Sequence, residues 1–138
     1  MIFNNIIKKE GKRNMDIKDY EIISNKEKSG ENNEKGINHI INKNKLIFEG
    51  EYLNGKRNGK GKKYYDDGNL MFEGEYLNGK RNGKGKEYFK NGKLKFEGEY
   101  LNGKKWNGNE YNKNGSKEFE IENGCRKVKQ YYDFIYLK

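Results

Sequence analysis

Three observations predict an all-β fold, an elongated single-layer twisted antiparallel meander of β-hairpins that becomes degenerate at both ends. The stretch FEGEYLNGKRNGKGK runs from Phe48 to Lys62 and returns unchanged from Phe72 to Lys86; FEGEYLNGK appears again from Phe96 to Lys104. A fixed offset of 24 residues marks a repeat architecture. Within each copy, aromatic and Gly positions alternate with Glu, as in Phe48-Glu49-Gly50-Glu51-Tyr52, which is the period of a strand. Asp67-Gly68 and Asn91-Gly92 are hairpin dipeptides of the type I′ kind, and Asn114-Gly115 follows 23 residues after the second.

Composition agrees with a thin β structure. Hydrophobic residues make up 31% of the 138-residue chain, too few for a thick closed core, against roughly 45–50% in globular domains. Yet Tyr and Phe number 11 and 7, and glycine 18, which argues against disorder. No proline is present to build a Pro-rich linker. The +9 net charge favours acidic partners: an anionic membrane surface, an acidic protein face or nucleic acid.

Residues 1–35 read as a degenerate repeat or partly ordered segment. Gly11-Lys12-Arg13-Asn14 repeats the later loop, and residues 24–35 (SNKEKSGENNEK) look like a mobile insert. The hairpin array is expected over 36–124, beginning with Ile37–Ile41 pairing Leu46–Gly50 around Lys43-Asn44. A two-residue turn at Asp67-Gly68 would pair Tyr65 with Leu70, Lys62 with Glu73, Gly61 with Gly74 and Lys60 with Glu75. A four-residue loop Gly55–Asn58 would pair Glu51 with Lys62 and Tyr52 with Gly61. Both registers put Phe48, Gly50, Tyr52, Gly61, Tyr65, Leu70, Phe72, Gly74 and Tyr76 on one face. Glu49, Glu51, Lys60, Lys62, Glu73 and Glu75 fall on the other, with alternating charges that discourage slipped registers. The third copy is one residue short after Gly103, and the second glycine of its pair becomes Asn109 or is lost. Ile121 stands where a strand glycine stood, and residues 125–138 read as a capping strand or segment, with Arg126–Tyr132 pairing back.

Phe48, Gly50, Tyr52, Gly55, Gly59, Gly61 and Gly68, and again Phe72, Gly74, Tyr76, Gly79, Gly83, Gly85 and Gly92, resemble the MORN (membrane occupation and recognition nexus) repeat. Phe96, Gly98, Tyr100, Gly103 and Gly115 fit it in part. The resemblance covers residues 46 to 116. It implies a hairpin meander, in proteins that serve as scaffolds, dimerising modules or binders of anionic phospholipid.

No enzyme is visible in the sequence, and no cofactor, metal or small-molecule substrate is expected. Gly55–Lys60 is one residue short of a phosphate loop and leads into no helix. His39, the single histidine, is expected to face Phe48. It and the single Cys125 cannot supply a zinc site, and Cys125 alone forms no internal disulfide. Asp66-Asp67-Gly68-Asn69 lacks the alternation of a calcium loop, and Asn114-Gly115-Ser116 reads as a turn. MIFNNII is too short for a signal peptide or membrane span, so the expectation is an intracellular, cytoplasmic chain, with peripheral membrane attachment open to it.

The leading functional expectation is a non-enzymatic scaffold. Its aromatic–Gly face (Phe48, Tyr52, Tyr65, Phe72, Tyr76, Phe89, Phe96 and Tyr100) has no opposing layer and would dock a protein partner or a second copy. The alternative is an anionic phospholipid surface met by a basic row at the hairpin ends: Lys56, Arg57, Lys80, Arg81, Lys104, Lys105 and, beside them, Trp106. Nucleic acid ranks third, because alternating Glu and Lys blunt a phosphate track.

Overall fold

The computed structural model describes residues 5–9, 20–29, 33–42 and 45–127. Among these described residues, eleven strands follow one another in a single antiparallel sheet with no crossover. They are β1 (Asn5–Lys9), β2 (Tyr20–Ser29), β3 (Asn33–Asn42), β4 (Lys45–Leu53), β5 (Lys56–Tyr64), β6 (Leu70–Leu77), β7 (Lys80–Tyr88), β8 (Leu94–Leu101), β9 (Lys104–Tyr111), β10 (Lys117–Glu122) and β11 (Cys125–Lys127). Residues 24–29 and 33–35, expected in a mobile insert, are strand: Asn25 pairs Ile37 and Lys28 pairs Glu34. The loop copy at Gly11–Asn14, the Lys43-Asn44 turn and residues 128–138 lie outside the described residues.

The two kinds of hairpin end exchange the roles expected of them. The tight turns are Asn54-Gly55, Asn78-Gly79, Asn102-Gly103 and Asn123-Gly124, where both residues have positive φ, as type I′ requires. Leu53 therefore pairs Lys56, and Gly50 pairs Gly61, in place of the four-residue loop and the Tyr52–Gly61 register. The expected Glu51–Lys62 pair becomes Glu49–Lys62. At the other end, Asp67 has no positive φ; Gly68 (φ 86) closes a three-residue loop in which Tyr65 N–H donates to the Asn69 carbonyl. Leu70 then pairs Tyr64, not Tyr65, and a bulge at Met71 restores the expected Lys63–Phe72 side of the ladder. Because the β4–β5 register moves by two residues, side chains keep their faces.

Between Tyr52 and Gly50 the partner strand carries two extra residues, a wide bulge closed by glutamate. Glu51 Oε2 accepts from Lys60 N–H (3.1 Å) and Glu75 Oε2 from Lys84 N–H (2.6 Å). The carboxylate lies where a Cβ on Gly83 (φ 99) would sit, 2.1 Å away, so that position tolerates only glycine. In the third copy Gly108 pairs Gly98, as Gly85 pairs Gly74. The residue lost there is the equivalent of Gly83, not the second glycine of the pair. Successive units are stapled at the tight turns: Gly79 N–H donates to Arg57 O, Gly103 N–H to Arg81 O and Gly124 N–H to Trp106 O.

The core is a row of rings on one face. Phe48, Phe72 and Phe96 are no more than 1% exposed; Tyr52, Tyr76 and Tyr100 are buried beside them. Neighbouring rings meet edge-on, with centroids 5.3–5.6 Å apart. They lie over an unbroken line of paired glycines, Gly50–Gly61–Gly74–Gly85–Gly98–Gly108. A Cβ on Gly61 would stand 2.9 Å from Phe48 Cζ and 3.0 Å from Tyr76 Cε2, so bare backbone is what lets the rings lie against the sheet. Ile121, paired with Gly108, ends the line and is itself buried. His39 pairs Glu49, with Nε2 3.6 Å from Oε2, and it is Ile40 that pairs Phe48.

Candidate interaction surfaces

The aromatic face is not an open groove. Six of the eight rings expected to dock a partner are the buried core, and cations cover them from outside. Arg57 lies 3.9 Å from the Phe48 centroid, Arg81 4.0 Å from that of Phe72 and Lys105 Nζ 4.7 Å from that of Phe96. Tyr65 and Phe89 are half-buried at the three-residue loops. Tyr65 O–H donates to the Tyr88 carbonyl (2.8 Å), and Lys95 approaches Phe89 at 5.7 Å.

This withdrawal divides the expected basic row. The tight turn places Arg57, Arg81 and Lys105 opposite Tyr52, Tyr76 and Tyr100, on the ring face. Lys56, Lys80 and Lys104 remain exposed at the turns. Each pairs with a leucine, and of these Leu77 and Leu101 are 49% and 42% exposed. Trp106 packs its ring 3.2 Å from where a Gly124 Cβ would be, against the backbone of the last turn.

Two carboxylates are drawn into the ring face. Glu87 Oε1 accepts from Arg81 and from Tyr100 O–H (2.9 Å), while its Oε2 is 3.4 Å from Lys105 Nζ. Burial works to raise the Glu87 carboxyl, but Lys105, the Tyr100 hydroxyl and Arg81 outweigh it and hold it below the ordinary carboxylate range. Glu110 is held down in the same way by Lys105 (2.8 Å) and Arg126 (2.7 Å), against its own burial.

The opposite face is hollowed into a groove of about 660 Å³. Its floor is the far side of the glycine line, from Gly61 to Gly108. One wall runs Lys60, Glu75, Lys84, Glu99; the other runs Lys62, Glu73, Lys86, Glu97. The walls stand about 7 Å apart, two residues along a strand, and the floor crosses five strands, about 19 Å. The second wall is braced by tyrosines: Tyr88 O–H donates to Glu73 (2.7 Å) and Tyr111 O–H to Glu97 (2.7 Å), as Tyr64 O–H does to Glu49. Sequence reasoning placed these charges on one face but saw in them only register. The signal was the glycine pairs, whose missing side chains leave a channel on one face as surely as ring space on the other.

The braces give an alkaline signature. Burial first, then the glutamate each one faces, push the Tyr64 and Tyr88 phenols up to about 12. A raised folded pKa stabilises the fold below the unfolded value of 10 and loses that contribution as pH climbs towards 12. Phenolate absorbance should therefore show Tyr64 and Tyr88 titrating near 12, ahead of Tyr100, which burial and Glu87 push higher still, with stability falling across the same interval. In Glu73→Gln the Tyr88 titration should move back towards 10.

Among the described residues no group of three His, Cys, Asp or Glu side chains could hold a metal ion. Nor is any helix there long and apolar enough to cross a membrane.

The family model of the MORN repeat matches residues 48–70 and 72–93. No curated protein matches the chain. Its two matched segments each span one tight-turn hairpin with its glycine pair and the loop that follows it, and proteins built on this repeat are generally non-catalytic scaffolds. The chain thus carries MORN repeats at residues 48–70 and 72–93, read from the same hairpins that make the sheet.

Proposed function

We propose that this chain is a non-enzymatic scaffold working inside the cell, whose glycine-floored groove seats a short segment of a partner protein. The groove itself carries the reading: it is a broad concavity, its floor presents backbone without side chains, and its walls alternate in sign. About 19 Å accommodates roughly six residues of extended chain. Alternating Lys and Glu walls suit a segment of mixed charge and suit a continuous phosphate track poorly.

A second reading rests on the tight turns, where exposed Leu77 and Leu101 stand beside Lys80 and Lys104. Apolar and basic side chains recurring along one edge suit the surface of an anionic membrane.

One experiment separates the two. A photo-crosslinking side chain at Lys86, in the wall, should trap a defined peptide of a cellular protein; the same group at Lys113, outside the groove, should not. Trapping should fail when Lys62→Glu is added and survive Lys56→Gln with Lys80→Gln and Lys104→Gln. Identical trapping at both positions removes the groove reading. Binding to phosphatidylserine vesicles that needs the turn lysines and weakens with salt, without wall-dependent trapping, puts the membrane reading in its place.

A further inference from the structure

Three repeat units place a residue at one structural position on the ring face, between consecutive phenylalanines. Lys63 pairs with Phe48 on one side and Phe72 on the other. Glu87 does the same between Phe72 and Phe96, and Glu110 pairs with Phe96 and Phe119. The position is therefore acidic twice and basic once.

Its surroundings do not change to match. Arg57 sits 3.9 Å from the Phe48 centroid and 5.7 Å from that of Tyr76; Arg81 sits 4.0 Å and 5.5 Å from those of Phe72 and Tyr100. Arg81 ends in a carboxylate, Glu87, which also receives the Tyr100 hydroxyl and Lys105. Glu110 receives Lys105 and Arg126. Arg57, in the same pose, has Lys63 at the ladder position that Glu87 fills for Arg81. Neither forms an ion pair with any described residue, and both are partly exposed.

We propose that Arg57 and Lys63 receive the carboxylate of an acidic side chain from a partner protein, at the place where the next two repeats supply their own glutamate. The guanidinium carbon lies over the Phe48 ring at 3.9 Å, and the side chain keeps partial exposure through which a ligand can reach its N–H groups. A planar carboxylate accepts from such groups in a forked pair, and the Lys63 ammonium adds a third donor. Glu87 on Arg81 shows that this geometry takes a carboxylate. The site lies on the face opposite the groove and does not depend on it.

The test uses the full chain and a fluorescein-labelled hexaglutamate peptide, read by anisotropy at low salt. The wild-type protein should bind it. Arg57→Gln should weaken binding about tenfold, and Lys63→Glu, which brings a carboxylate to Arg57 within the chain, should weaken it further. Lys113→Glu changes the net charge as much as Lys63→Glu and should alter affinity less than about twofold. Lys63→Glu should also raise the unfolding temperature, a gain that a merely disrupted surface would not give. Equal losses in Lys113→Glu and Lys63→Glu would reduce the effect to diffuse attraction and overturn the proposal. So would undiminished binding by Arg57→Gln, no binding by wild type, or displacement of the peptide by inorganic phosphate at lower concentration than by glutamate.

Discussion

Phe72→Ala should destabilise the array by about 3–5 kcal/mol in urea or thermal unfolding, as large aromatic truncations in a closed core do. Phe72 has no exposed surface, meets Tyr76 and Tyr100 edge-on and carries Arg81 on its outer face. Since whole domains are stable by only about 5–15 kcal/mol, this is a large share of the total. The glycine line makes the prediction sharper. A Cβ on Gly85 would stand 2.8 Å from Phe72 Cε2 and 3.1 Å from Tyr100 Cε2, and all three of its nearest atoms belong to those two rings. Gly85→Ala alone should therefore cost about 1–3 kcal/mol by overpacking. In the Phe72→Ala background the methyl gains the vacated space, and the same substitution should cost far less. A double-mutant cycle measures this coupling directly. Strict additivity would mean that the ring does not rest on the glycine backbone, and the account of the core would fail with it. The damage should also stay local, because each hairpin contacts its neighbours: amide exchange should quicken in β5–β8 before β10.

The period, the two faces and the glycine pairs were legible in the sequence, because identical copies fix the spacing and strand parity survives a slip of two. Which Asn/Asp-Gly step makes the tight turn was not. Leu53-Asn54-Gly55-Lys56 and Asp66-Asp67-Gly68-Asn69 both carry a turn dipeptide, and the choice depends on how the wide bulge opposite Glu51 absorbs two residues. That bulge is closed by a side-chain carboxylate on Lys60 N–H, a contact no local pattern announces. The mistake then propagated. With a four-residue loop, Lys56 and Arg57 sit together at the tip as one basic row. With Asn54-Gly55 as the turn, Arg57 pairs Tyr52 and swings onto Phe48, and only Lys56 stays out. The openness of the aromatic face was misjudged for a related reason. A single sheet buries little in general, but rings laid edge to face along a side-chain-free strip, with guanidinium groups above, close their own surface. The open concavity falls on the charged face instead.

Glu87→Gln should lower stability at neutral pH and lose its effect in acid. The substitution keeps the shape of the side chain and removes one charge facing Arg81 and Lys105, with the Tyr100 hydroxyl still able to donate to the amide oxygen. Removing one partner from a well-buried ion pair costs about 3–5 kcal/mol. Here the Arg81 and Lys105 side chains keep 24% and 22% of their surface, so water relieves part of the penalty and about 1–3 kcal/mol is expected. The Glu87 carboxyl is held below its ordinary 4.5 in the folded chain: its burial opposes the shift, and the two cations and the phenol win. A depressed folded pKa stabilises the fold above the unfolded value and loses that contribution as pH falls through the folded one. Wild-type and Glu87→Gln unfolding curves should thus differ most near neutrality and converge below 4.5, once wild-type Glu87 takes up its proton. A difference that persists undiminished in acid would mean that the glutamate acts through packing and not through its charge. Glu87→Lys should destabilise more than Glu87→Gln, since it places an ammonium between Arg81 and Lys105 without the solvent-facing freedom that Lys63 has beside Arg57. Unfolding midpoints for the three chains across this pH range decide whether the carboxylate brace is what holds the third and fourth phenylalanine-lined strands, β8 and β10, in line with β6.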